Sequence, residues 1–429
     1  MIYSPDGKTL VTSGNDETAR IWDTSGKELA QLKGHQGIVR RVIYSPDGAT
    51  LATSGNDGTA RIWDTSGQEL TQLKGHKGFV WSVVYSPDGK TLATSGDDGT
   101  ARIWDISGKE LAQLKGHKGF VMSVIHSPDG KILVTLGEDE TARIWDTSGK
   151  ELAQLKGHQG FVNNVIYSPD GKTLATSGND GTARIWDTSG QELAQLKGHQ
   201  GRVRSVVYSP DGKTLATSGN DGTARIWDTS GQELAQLKGH QGIIRSVIYS
   251  PDGKTLATSG NDGTARIWDT SGQELAQLKG HQGNVNSVIY SPDGKTLATR
   301  GNDNIARIWD TSGQELVQLK GHQGSVSSVI YSPDGKTLVT SGNDKTTRIW
   351  DISGRQITQY DGQGYMNSTW TTIATINSSP TNLNGQIVTL HPLILSPTAL
   401  LDRACKKLKY YILQSPELKD DRKMCGFEN

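Results

Sequence analysis

Cysteine is nearly missing from this chain. Cys405 and Cys425 are the only two, which excludes a scaffold built on disulfides. Net charge is missing as well, because 45 Lys and Arg balance 45 Asp and Glu. A polybasic nucleic-acid binder and an acidic tail are therefore excluded as bulk properties. No run of about 18 apolar residues occurs, so no membrane span is expected. The start, MIYSPDGKTL, has no charged segment followed by an apolar one, and no secretory signal is expected; a cytoplasmic location follows as the expectation. Apolar residues make up only 33% of the chain, a level that alone points toward disorder. The rarer residues overrule that reading. Nine of 11 Trp, nine of 13 Pro and eight of 10 His recur at one fixed spacing.

That spacing is 41 residues. Trp-Asp pairs run without insertion from Trp22-Asp23 to Trp350-Asp351, and Gly-His pairs from Gly34-His35 to Gly321-His322. A period near 41 with Gly-His upstream and Trp-Asp downstream belongs to propeller blades. Each unit reads as four short strands. In residues 39–74, Val39 to Tyr44 alternates and is rich in β-branched residues, as an innermost strand should be. Ser45-Pro46-Asp47-Gly48 is a turn, Thr50 to Ser54 a second strand, Asn56-Asp57-Gly58 a hairpin turn, Thr59 to Trp63 a third strand and Glu69 to Leu73 the outermost. Such a sheet cannot bury both faces alone, and a ring of neighbours is the closed solution.

On these residues the chain resembles the WD-repeat β-propeller family over residues 1 to about 360. The near-identity of the units is also similar to the repeat regions of large bacterial signalling proteins, where such propellers follow an NTPase module; no such module is present in this chain. The expected fold is all-β: a β-propeller of nine regular four-stranded blades (1–360), a degenerate tenth blade (361–395) and a short helical tail (396–429). The tenth blade rests on Trp370-Thr371-Thr372-Ile373-Ala374-Thr375 and Gln386 to Leu390, which echo the second and third strands. The tail rests on Ser396-Pro397 as a helix start and on Leu401, Leu408 and Ile412 sharing one helical face. Family members usually close the ring by pairing an N-terminal outermost strand with the last blade, whereas this chain begins at an innermost strand. Two readings stay open: one large ring closed by side chains alone, or the end of a longer array.

His35, Ser54, Asp57 and Trp63 carry the residue types of a hydrolase triad. The set recurs in unit after unit, however, and a catalytic triad is built once. The family resemblance implies instead a hydrogen-bonded structural tetrad. Leu136 and Arg300 replace the serine in two units, which are then expected to be the weak ones. The recurrent Gly171-Lys172-Thr173 lacks the upstream glycine of a phosphate-binding loop, since position 166 is Ile. One His per blade cannot converge on a metal. No catalytic residue, cofactor or metal is expected.

The units agree nearly everywhere and differ mainly just after Gly-His. Those positions hold Arg40 and Arg41, then Phe79 and Trp81, Phe120 and Met122, Phe161 and Asn163, Arg202 and Arg204, Arg245, and Asn284 and Asn286. In the family this region lies on the top face around the central channel, where partners usually bind. Large apolar groups on a rim are typical interface anchors. The resemblance therefore implies a non-catalytic scaffold holding a protein or peptide there, as the sensor part of a signalling system. The alternative is a nucleic-acid-binding propeller using Arg40, Arg41, Arg202, Arg204 and Arg245, which the neutral chain argues against.

Overall fold

The computed structural model describes residues 1–361, together with the backbone of two short strands, Ala374–Ile376 and Gln386–Val388, that pair antiparallel with each other. The expected tenth blade, beyond those strands, and the expected helical tail at 396–429 lie outside the described residues. Residues 1–361 form nine four-stranded antiparallel sheets, each with its strands in sequence order. They are numbered here as blades 1–9, at 2–33, 39–74, 80–115, 121–155, 162–197, 203–238, 244–279, 285–319 and 326–361.

Blade 2 shows how the sequence makes the sheet. Its strands are Val39–Tyr44, Thr50–Gly55, Thr59–Asp64 and Glu69–Lys74. In the first turn Gly48 has φ of 73° and donates its N–H to the Ser45 carbonyl at 2.9 Å. Ser45 Oγ donates to Asp47 at 2.5 Å and accepts the Thr50 N–H at 2.9 Å, so the Ser-Pro-Asp-Gly tip satisfies its own backbone. The outermost strand is half exposed, and Leu70 stands on it open to solvent.

Nine apolar cores lie between the blades. Val11, Ile21 and Leu32 of blade 1 enclose one of them with Val42, Leu51 and Trp63 of blade 2, and the pattern repeats around the molecule. The ninth core joins the last blade to the first: Tyr3, Leu10 and Trp22 pack on Ile330, Val339, Ile349 and Tyr360. The Trp22 and Tyr360 rings stand 3.9 Å apart between centroids. Among the described residues no strand is exchanged across this seam, because blades 1 and 9 each keep their own four strands. In this chain the nine blades form one ring whose last and first blades are joined by side chains.

A polar tie runs beside the cores. The tyrosine ending each innermost strand bonds a threonine of the preceding blade, as in Tyr44 Oη to Thr9 Oγ1 at 2.9 Å. Seven of the nine junctions have it, including Tyr3 to Thr337 at 3.0 Å across the seam. Blade 4 lacks it on both sides. His126 replaces the tyrosine toward blade 3, and Ile132 replaces the threonine toward blade 5. Both ring nitrogens of His126 and the Tyr167 hydroxyl are buried without a hydrogen-bond partner among the described residues. Blade 4 also carries Glu140 at φ 65°, where most blades have a glycine, and its two outer strands are shorter, at Ala142–Asp146 and Glu151–Leu155. A side chain at positive φ costs about 1 kcal/mol relative to glycine.

Blade 4 is therefore expected to be a weak point of the ring. Glu140→Gly should stabilise the protein by roughly 1 kcal/mol in denaturant unfolding. Burial pushes the His126 imidazole down to about 4, so the folded state resists its protonation while the unfolded chain takes up the proton near 6.5. Stability is then complete above pH 6.5 and falls as pH drops toward 4. His126→Tyr should flatten that part of the stability-versus-pH curve and raise the melting temperature.

Candidate functional site

The polar centre of each blade is a directed chain of hydrogen bonds. The Trp63 indole donates to Thr53 Oγ1 at 2.8 Å, Thr53 Oγ1 meets His35 Nε2 at 2.7 Å, and His35 Nδ1 meets Asp57 at 3.0 Å. One proton arrangement satisfies every group: the threonine hydroxyl donates to Nε2, and Nδ1–H donates to the carboxylate. In blades 2–9 the Thr–His distances span 2.7–2.9 Å and the Trp–Thr distances are 2.8 Å. Arg61 extends the chain outward, 3.4 Å from Asp57 and 2.5 Å from Glu69.

The bridging hydroxyl is thus the threonine, not the serine after it that the sequence reading chose. Trp63 pairs in register with Leu51, and Thr53, two residues on, shares its face, whereas Ser54 points to the other. The Ser54, Ser95, Ser177 and Ser218 hydroxyls are buried without a partner among the described residues. Leu136 and Arg300 therefore break nothing. Thr135 and Thr299 hold their histidines at 2.7 and 2.8 Å. The serine-to-leucine and serine-to-arginine changes are not a source of weakness, and the strain in blade 4 has the separate origin described above.

Burial alone would raise the Asp139 and Asp262 carboxyls. The bond and charge of His117, for Asp139, and the Gln241 amide with His240, for Asp262, outweigh it and hold both at about 2. Burial also lowers His117, His158, His240, His281 and His322, against the pull of their aspartates. In each of blades 2–9 the indole N–H, the threonine hydroxyl and both imidazole nitrogens are used within this chain of bonds.

The variable positions gather at the channel end where the Gly-His loops lie. Arg40 Nε donates to Asn56 Oδ1, and its guanidinium stacks 4.1 Å from the Trp81 ring and 4.9 Å from Phe79. Phe79 and Trp81 meet edge to face at 6.0 Å, and Trp81 lies 5.5 Å from Phe120. Trp81 donates its indole to Asp97 at 3.0 Å. Phe79 and Phe161 are exposed at 37% and 42%, but Phe120 is buried at 4% and Met122 packs into the core beneath. Phe120 is thus the covered member of the aromatic group, beside Trp81, and Met122 belongs to the core between blades 4 and 5. Asn163 is also buried, bonded to Asn179 and to the Val203 carbonyl at 3.0 Å each.

A second group follows around the ring. Arg204 and Arg245 donate to Asn220 and Asn261 at 2.6 Å each, so the partners that orient them are neutral amides. Arg202 lies beside Arg204, and Arg300 reaches the Val326 carbonyl at 3.3 Å. Burial, and then repulsion from Arg202 and Arg245, lowers Arg204 to about 10; burial and Arg245 do the same to Arg300. Arg300 is the member that sequence reasoning missed, having been assigned to the tetrad. Arg41 belongs elsewhere, with its guanidinium 3.2 Å from Ser82 Oγ. Asn286 bonds Asn302 at 2.6 Å, and Asn284 reaches the Asn261 carbonyl at 2.9 Å once its amide is oriented to suit its neighbours. A shared device emerges: the variable side chain is held by the residue 16 positions on, at the start of the next hairpin loop.

Comparison with known proteins agrees with this geometry. The family model for the IFT122 first beta-propeller matches residues 121–379, and that for the WD domain, G-beta repeat matches 1–23, 26–64 and 67–105. A crystal structure of the computationally designed Ika8 protein is similar at a TM-score of 0.61 and 28% identity, covering 76% of this chain and 100% of that one. No curated protein sequence matches.

The threonine assignment makes a sharp contrast testable. Thr176→Val should destabilise by about 1–3 kcal/mol, since it strips His158 and Trp186 of a buried partner. Ser177→Ala, one residue on, should change the unfolding free energy little or raise it.

Proposed function

The chain belongs to the WD-repeat β-propeller family, whose fold is generally a scaffold for protein interactions, and on that premise we propose that it binds a protein or peptide at the channel end carrying Phe79, Trp81, Phe161, Arg202, Arg204 and Arg245. The observation that supports this most is the stacked set Arg40–Phe79–Trp81–Phe120. Phe79 is exposed, Arg40 and Trp81 are half-buried, and Phe120 is buried beside Trp81. Such a patch is stiff before a partner arrives and loses little entropy on binding.

The second support is the guanidinium pair Arg204 and Arg245, which donate to the Asn220 and Asn261 amides, with Arg202 beside them. A partner that fits both groups brings an apolar segment flanked by acidic residues. The aromatic group supplies most of the affinity, and the arginines act mainly on association rate and salt dependence. No acid, base or nucleophile is needed for this role, and none is assigned. The near-identity of the units supports reading the propeller as the sensor part of a cytoplasmic signalling assembly.

The test is an array of apolar peptides with and without flanking Asp and Glu, probed with the intact chain. The acidic-flanked set should be captured. Phe79→Ala with Trp81→Ala should lower capture by roughly 2 kcal/mol or more while circular dichroism stays unchanged. Arg204→Glu should weaken capture mainly at low salt. Undiminished capture by the folded double variant would move the site elsewhere, and preference for an oligonucleotide over every peptide would favour the nucleic-acid reading.

A further inference from the structure

The guanidiniums of blades 6 and 7 differ from the repeat arginines in what stands against them. On the third strands, Arg61 and Arg102 each lie between an aspartate and a glutamate. Arg204 is held otherwise. Its Nε–H donates to Asn220 Oδ1 at 2.6 Å, and among the described residues nothing takes its two terminal amino groups. Arg202, beside it, has its Nε–H buried without a hydrogen-bond partner among the described residues. Arg245 occupies the equivalent place in the next blade and donates to Asn261 at 2.6 Å. The chain does use a carboxylate at the asparagine position, but in blade 3, where Asp97 takes the Trp81 indole at 3.0 Å. Under Arg204 it keeps an amide, which fixes the side chain without cancelling its charge. The three arginines are half-buried, and Arg204 feels the charges of the other two. Gathering like charges in such a place costs stability, and an anion offsets that cost.

We propose that Arg202, Arg204 and Arg245 form a phosphate site, filled by a phosphorylated residue of the bound protein segment. This rests on the reading that the channel end binds a protein or peptide, and it names the anion. A carboxylate brings one charge and two oxygens. A phosphoryl group brings a charge of about −1.5 to −2 and three strong acceptor oxygens, which suits three guanidiniums far better. Arginine meets such oxygens through its planar fork, in short charge-assisted bonds. The terminal amino groups of Arg204 are the first donors to the phosphoryl oxygens, with Arg202 and Arg245 on either side. The surroundings favour a protein segment over a nucleic-acid strand. Phe161 is exposed on blade 5, next to blade 6, so an apolar residue and the phosphate of one segment find their places on adjoining blades. A strand of nucleic acid carries a phosphate at every nucleotide and calls for a longer track of cations. Here Arg40 is stacked on Trp81 and Arg41 is turned to Ser82, away from this group.

The experiment uses the intact chain and an array of apolar peptides, each made in three forms that carry serine, glutamate or phosphoserine at one central position. The phosphoserine form should be held roughly tenfold or more tightly than the glutamate form, and excess inorganic phosphate should compete with it. The preference should grow as pH rises through about 6, where the phosphoryl group takes its second charge. Arg204→Gln should erase it. So should Asn220→Asp, which sets a carboxylate against Arg204 at a place where blade 3 already carries Asp97, and which should leave the melting temperature as in the parent or higher. Equal capture of the glutamate and phosphoserine forms would overturn the phosphate site and leave the protein-binding reading standing. A preference that survives both variants, or tighter binding of a single-stranded oligonucleotide than of any phosphopeptide, would also overturn it. Capture of none of the three forms would overturn both readings.

Discussion

A threonine hydroxyl that receives a hydrogen bond from a tryptophan and gives one to a histidine ties three parts of each blade at a single buried point. The indole brings the third strand, the threonine the second, and the imidazole the loop that arrives from the preceding blade. The aspartate then fixes the far side of the ring and holds the hairpin turn. Each group is desolvated, so each is costly to leave unmatched, and the chain is satisfied by one tautomer only. The loop so fixed is the one that enters the channel end, which is why the variable residues just after Gly-His stand on a rigid support.

Much of this was legible in the sequence. The 41-residue period gives the blades, and the Ser-Pro-Asp-Gly and Asn-Asp-Gly tips give the turns, whereas the number of blades in the closed ring was not readable from the count of units. The tetrad was legible in kind but misplaced by one residue. Thr53 and Ser54 are adjacent hydroxyls, and composition alone cannot separate them. The alternation of faces could have: Trp63 shares parity with Thr53, and the tolerance of Leu136 and Arg300 at the serine position already points to the threonine. Surface exposure was not legible. Phe79, Phe120 and Phe161 occupy equivalent positions, yet Phe120 alone is covered, because Trp81 of the neighbouring blade lies against it. The tie between Tyr and Thr across junctions, and its loss around blade 4, needed the packing of one blade on the next.

Repetition and its exceptions divide the labour in this molecule. The invariant positions build nine nearly equal cores, so neighbouring blades supply one another with what a lone sheet lacks. Departures from the repeat concentrate where invariance is not needed. At the channel end they create an aromatic group and a guanidinium group side by side. At the seam, the ring is joined by Tyr3, Trp22 and Tyr360 rather than by a shared strand. Such a joint rests on a few side chains, and the blade 1 residues Thr12, Asp16 and Trp22 border a pocket there.

The buried Trp–Thr–His–Asp chain, complete in eight blades among the described residues, holds the ring together, and blade 1, with Trp22 bonded to Thr12 but no histidine beside them, is its exception. Indole N–H exchange by NMR tests this directly, because each tryptophan reports its own blade. The account predicts slow exchange, limited by global unfolding, for the indoles of Trp63, Trp104, Trp145, Trp186, Trp227, Trp268, Trp309 and Trp350, and faster exchange for Trp22. Equal protection of Trp22 and the other eight, or fast exchange throughout, would contradict it.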